Sequence, residues 1–328
     1  MSKLGLVLYH GFQSGAEIAK YASIADRYGF DSLWMTERSG HEEAFATLGY
    51  AAASSETLRL GLGVANSYSR HPVLLAMAAA TLDRLSGGRF ILGMGTSDRD
   101  VIEDKLGIPH QRPLVELERT IASLRGLFTG ETVSTENGHS SILGVKLGVK
   151  PVTSPLPIYM AASGPRALRL AGRVADGVIL NTYSPVSYVR WAVSTARQAA
   201  TDAGRDPGVL KIVCMLVIRL VQDRKPLYPG FKERLARLLA EPQGGEVLLQ
   251  ESSFDPELVG RICHVARTQS VKLAAELVPN EMVDEFYVFG DLERCKQHIA
   301  EYQKAGVEQP LLLPRLQDFE TVALALKA

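Results

Sequence analysis

Cysteine is scarce in this chain, no charge of either sign is in excess, and no apolar run is long. The three cysteines, Cys214, Cys263 and Cys295, are odd in number and far apart. That argues against a disulfide framework or a Cys-based zinc site and for a reducing compartment. Lys plus Arg and Asp plus Glu both number 36, so the net charge is zero and no nucleic-acid partner is expected. The longest apolar runs, such as 212–218, are strand-sized and far short of a bilayer span. The opening MSKLGLVLYHGF lacks the apolar region and cleavage site of a signal peptide and reads as a buried strand. A cytoplasmic protein without a membrane partner is therefore expected. No H-x-x-x-H, C-x-x-C or nucleophile-elbow pattern occurs, so metal hydrolysis and Ser-based acyl transfer lack a motif, and no metal site is expected.

What is present is one repeating unit: helix, Gly-containing turn, short apolar strand, polar loop. Hydrophobic residues make up 46% of the 328, enough for a large core. Strands are predicted at 4–9, 32–36, 58–64, 90–94, 158–162, 178–181, 211–220 and 310–313, each almost continuously apolar, as parallel strands buried on both faces are. Helices are predicted at 15–28, 42–54, 72–85, 114–128, 165–174, 185–203 and 319–327. Gly29, Gly87-Gly88, Gly177 and Gly306 mark the turns from helix to strand. Eight alternating units predict an α/β fold, a (β/α)8 TIM barrel forming a single domain over residues 1–328. Two insertions are expected. Residues 129–156 lie between the fourth helix and fifth strand, and 222–308, broken at Glu241-Pro242-Gln243-Gly244-Gly245, between the last two strands. A doubly wound nucleotide fold is the rival, but Gly61-x-Gly63 and Gly93-x-Gly95 both lack the third glycine of its fingerprint.

Candidate chemistry gathers in the polar loops that follow the strands, the face on which a parallel βα fold carries its site. Residues 55–98 show the asymmetry best: a Gly-Gly turn at one end, and loops rich in Asn, Ser, Arg, His and Asp at the other. After the fifth strand, Ala162-Ser163-Gly164-Pro165-Arg166 turns directly into a helix. Ser163 suits the N-cap, Gly164 admits backbone approach, and Pro165 suits the first helical position. The exposed N–H groups form an anion site, with Arg166 adding charge, or else simply a capped helix. Glu37 is either a site carboxylate or the partner of adjacent Arg38. Arg70 and His71 either contact a ligand or brace the helix opening at Pro72. Tyr9, His10, Trp34 and Thr96 also end strands and reach the same mouth, whereas Cys263-His264 reads as packing.

Five segments, 27–37, 60–72, 80–98, 157–180 and the tail VPNEMVDEFYVFGD with AGVEQPLLL, together resemble the bacterial-luciferase-like superfamily. Within it the likeness is to the deazaflavin (coenzyme F420) dependent oxidoreductases, over nearly the whole chain. The resemblance implies coenzyme F420 at the C-terminal mouth and hydride transfer to or from an unidentified small organic substrate. FMN-dependent monooxygenation is the alternative, as is F420 or flavin binding without turnover. It also implies a homodimer or higher homo-oligomer. A non-prolyl cis bond at Gly63-Val64 or Val64-Ala65 would back the deazaflavin ring. Gly63, Val64, Ala65 and Thr96 would contact the cofactor, and Ala162 to Arg166 would hold its phosphate-bearing chain. Glu37 matches an acidic residue near the ring. Glu37 and His10 are then the proton-handling candidates, with Tyr9 and Trp34 toward the substrate. Glucose-6-phosphate dehydrogenase members place His after the acidic residue and Glu in the fourth loop, where this chain has Arg38 and Thr96. Methylenetetrahydromethanopterin reductases carry an acidic residue in the first strand, where Val7 stands here. Neither substrate is expected to carry over.

Overall fold

A computed structural model describes residues 3–136, 138–241 and 253–327. Its strands are β1 (Gly5–Leu8), β2 (Ser32–Met35), β3 (Arg59–Asn66), β4 (Phe90–Gly95), β5 (Val133–Thr135), β6 (Ile142–Val145), β7 (Ile158–Ala161), β8 (Gly177–Leu180), β9 (Lys211–Leu220), β10 (Val288–Gly290) and β11 (Gln309–Leu313). Eight of them close a parallel barrel in the order β1-β2-β3-β4-β7-β8-β9-β11, with β8 against β9 and β11 back against β1. The first insertion holds the antiparallel pair β5–β6. The second returns through β10, which pairs with the end of β9. The expected (β/α)8 barrel with two insertions is what forms.

Strand alternation sends one set of side chains inward and the other toward the helices. Val7, Trp34, Ile91, Tyr159, Ile179, Val213, Met215 and Leu311 fill the barrel interior. Leu6, Leu8, Leu33, Met35 and Leu60 belong to the larger core beneath the surrounding helices. Trp34 is fully buried, its Nε1 donating to Ser32 Oγ at 2.8 Å. The indole lies so close to Gly61 that a Cβ there would meet its ring at 2.1 Å. This corrects the expectation that Trp34 faces substrate: it belongs to the interior packing and is shut off from solvent.

In the second insertion, the helices Tyr228–Ala240, Pro256–Thr268, Val271–Leu277 and Asn280–Phe286 build a separate apolar cluster. Of the predicted break at 241–245, only Glu241 lies within the described residues, where it ends the first of these helices. A π-helical turn at Asp100–Lys105, which the periodicity does not announce, follows β4. Among the described residues no helix is long and apolar enough to cross a membrane.

Candidate functional site

The mouth of the barrel is shaped first by a bulge in β3. The Gly63-Val64 bond is cis, the first of the two bonds expected to be, and the register against β4 shifts between Leu62 and Ala65. Val64 lies against Gly93 and Gly95, where added Cβ atoms would come within 3.0 Å and 2.7 Å of its methyl groups. The Gly-x-Gly of β4, too short for a nucleotide fingerprint, thus leaves room for the bulge. A Cβ on Gly63 would come within 2.6 Å of Met215 Cε. Val64 remains half-buried, whereas the side chains of Ala65 and Ala162 are buried in the outer core and offer only backbone to the mouth.

The loops after β1 and β2 bring charged groups together. Glu37 accepts from Arg70 through both oxygens, from Nε at 3.2 Å and Nη2 at 3.0 Å. Arg70 also pairs with Glu43 and lies over the Phe45 ring, 5.1 Å from its centroid. Arg38 is therefore not the partner of Glu37; it donates to Tyr9 Oη at 3.1 Å. Burial pushes the Glu37 carboxyl above its ordinary range, although Arg70 pulls the other way. His10 lies between Glu42 and Thr36, with Nδ1 3.2 Å from Glu42 Oε2 and Nε2 3.3 Å from Thr36 Oγ1. A second Glu42 oxygen accepts from Gly11 N at 3.0 Å. His41 stacks on His10 with ring centroids 4.6 Å apart. Burial first, then the nearby charge of His41, lowers the His10 pKa below 6.5, with Glu42 opposing. The imidazole is neutral at pH 7. Bonding to a carboxylate puts its proton on Nδ1, leaving Nε2 to accept.

His10, His41 and Glu42 bring three possible metal-ligand atoms within 4.8 Å of one another. Sequence spacing did not announce this group, because the chain returns to His10 only after a helix and a strand. Residues 41–43 read as the start of a helix. Glu43 does cap it, accepting from Ala46 N at 2.6 Å, but Glu42 turns to the mouth.

The third element is the start of the helix Pro165–Val174. Gly164, not Ser163, is its N-cap, and no side chain caps it. The helix begins at Pro165, so the capping position falls one residue later than expected. Ser163 is exposed and its carbonyl accepts from Tyr188 Oη at 2.5 Å. A Cβ on Gly164 would meet nothing within 4 Å, so this terminus opens to free space, with exposed Arg166 two residues along. By contrast His71 braces its helix, Nδ1 accepting from Val73 N at 3.3 Å and Nε2 meeting Ser141 O at 3.1 Å. Thr96 is half-buried, its carbonyl held by His110 Nε2 at 3.1 Å.

A barrel with a bulged third strand, an open helix terminus after the fifth barrel strand and a polar mouth is a cofactor-binding (β/α)8 architecture. The profile of the luciferase-like monooxygenase family matches residues 4–309, and the chain belongs to that family. The 5,10-methylenetetrahydromethanopterin reductase of Methanolobus tindarius is 31% identical over 294 residues, covering 89% of this chain and 88% of the relative. A Mycobacterium tuberculosis protein, Rv3520c, provisionally named a coenzyme F420-dependent oxidoreductase, is 31% identical over 331 residues and covers 93% of each chain. The structure of the coenzyme F420 dependent tetrahydromethanopterin reductase from Methanopyrus kandleri superposes with a TM-score of 0.83 at 25% identity, covering 98% of this chain and 97% of that one.

Proposed function

We propose that this chain is a coenzyme F420-dependent oxidoreductase that moves a hydride between the deazaflavin and a small organic substrate at the barrel mouth. The observation that carries this reading is the uncapped helix terminus at Gly164, which offers free N–H groups and the helix dipole to a phosphate. Relatives named for F420 or for tetrahydromethanopterin chemistry, matched over nearly their whole length, support the same cofactor. The residues present fit it. Ser163, Gly164 and Arg166 take the phosphate-bearing chain, with the backbone of Ala162 and Pro165 beside them. Gly63, Val64 and Ala65 form the wall behind the ring, and Thr96 borders it. When bound, the deazaflavin supplies the carbon that gives or accepts hydride, and the protein supplies orientation, electrostatics and exclusion of water.

On the open side, exposed Tyr9 meets the substrate, with buried His10 against its ring. His10 accepts or returns a proton at Nε2, oriented by Glu42 at Nδ1. Glu37, locked by Arg70, keeps a buried carboxylate at the mouth and fixes its charge pattern. The proposal includes a cytoplasmic homo-oligomer. Exposed Tyr50, Leu74 and Met77, on the helices Ala44–Ala53 and Pro72–Leu85, supply an apolar face for a second copy. Fluorescence titration with coenzyme F420 and with FMN tests the reading. Saturable binding is expected with F420 held about tenfold tighter or more; preference for FMN would favour the flavin monooxygenase alternative instead.

A further inference from the structure

Arginines around the mouth such as Arg70 and Arg315 are matched by carboxylates of the protein, Arg70 by Glu37 and Glu43 and Arg315 by Asp318. Arg219 and Arg234 are not; among the described residues neither has a carboxylate within 4.0 Å. Arg219, near the end of β9, donates to the carbonyls of Ile218 at 2.6 Å and Leu313 at 3.1 Å. Burial, and the like charge of Arg315, push its pKa down, with Asp318 opposing. Arg234 donates to Tyr183 Oη at 3.1 Å and lies in electrostatic reach of Tyr287 and Tyr9.

An independent observation meets these two cations. Tyr287 is only 1% exposed, yet its hydroxyl has no hydrogen-bond partner. Its ring is clamped by Phe231, stacked at 3.9 Å, and by the edge of Tyr183 at 5.3 Å, so the hydroxyl cannot swing out to water. It lies in electrostatic reach of Tyr183, Arg234 and Arg219, and the two guanidinium groups can only donate. Tyr183 itself is held at a φ of 67°, in the left-handed region that a tyrosine rarely adopts. A buried donor beside two unmatched guanidinium groups lacks one thing, an acceptor with negative charge.

The geometry points to a second anion subsite, formed by Arg219, Arg234, Tyr183 and Tyr287, that grips a carboxylate or phosphate group of the substrate. It rests on the oxidoreductase reading for the identity of its occupant as substrate, and it makes the substrate class anionic. Arg219 lies near the end of β9 and Tyr183 follows β8, which puts the subsite at the C-terminal mouth, built from residues other than those of the helix terminus at Gly164.

The test is calorimetric titration of the full-length protein with inorganic phosphate and, separately, with benzoate. One of the two anions is expected to bind, and the tighter one assigns phosphate or carboxylate. Arg234→Gln should weaken that binding about tenfold or more, in the wild type and in a Gly164→Val background alike, because a charge-assisted hydrogen bond is lost. Tyr287→Phe, which keeps the ring packing, should weaken it several-fold. Arg234 is exposed, so its replacement leaves the fold intact, as circular dichroism would verify. Failure of both anions to bind overturns the subsite, as does binding that survives Arg234→Gln and disappears in Gly164→Val. F420 affinity, measured on the same variants, is a separate readout. Anion binding without F420 binding would end the oxidoreductase reading and leave the subsite standing.

Discussion

The two ends of the barrel use the same kinds of residue to opposite effect. At the end where helices turn into strands, Arg89, Asp83 and Asp176 each close a network of polar groups within the protein. Arg89 alone donates to Ser86 O, Ser55 Oγ, Leu58 O, Ala52 O and Ser55 O, at distances of 2.6–3.1 Å. Fully buried Asp83 accepts from Val152 N, Thr153 N and Thr153 Oγ1, fastening the first insertion to the barrel. Asp176 takes Ile158 N and Arg125. At the mouth the account stays open. Gly164 begins a helix that no side chain caps, Arg234 meets only a tyrosine hydroxyl, and Tyr287 Oη meets nothing. Closed networks hold the fold; open ones await a ligand.

Breaking the closed end should cost stability and spare binding. Arg89→Met leaves four backbone carbonyls without their donor, and about 3 kcal/mol of unfolding free energy should be lost. Urea denaturation would measure it, with F420 affinity unchanged. An unshifted midpoint would mean that this network is not structural. At the open end, His10→Asn should lower turnover about a hundredfold while leaving the unfolding midpoint near that of the wild type. The pH profile sharpens the point. Because the folded pKa of His10 is lowered, its neutral, proton-accepting form persists below pH 6.5, and kcat/KM should fall only on the acid side of that value. An acid limb that is present in His10→Asn would assign the titration to another group.

Much of this contrast is legible in the chain. Short apolar strands, Gly turns and polar loops fix the barrel, because alternation between helix and doubly buried strand has few other solutions. The cis bond at Gly63-Val64 falls at one of the two bonds the family resemblance implied, and the opening at Gly164 falls where the Ser-Gly-Pro turn put it. Trp34 departs from the expectation because a strand's terminal position alone does not tell inward from outward; that depends on Gly61 leaving the space. The pairing of Glu37 with Arg70 rather than Arg38 is a contact between loops 33 residues apart, and adjacency in sequence pointed to the wrong partner. His41, Glu42, Arg219 and Arg234 carry no motif, and Tyr287 lies in the tail segment 278–291 without being marked there as a site residue. His41 and Glu42 meet His10 only once β1 and β2 pair, and Arg234 and Tyr287 come together only once the second insertion folds; the faint signal is charged residues flanking the ends of apolar strands.

The most direct measurement is a coenzyme F420 fluorescence titration of three proteins side by side: wild type, Gly164→Val and Arg234→Gln. Gly164→Val places a branched side chain where the terminus is open, and nothing in the protein obstructs it, so the fold should survive. F420 affinity should fall about tenfold or more in Gly164→Val and change less than about twofold in Arg234→Gln. Equal affinity in wild type and Gly164→Val, or a loss confined to Arg234→Gln, would contradict the placement of the cofactor at the open helix terminus.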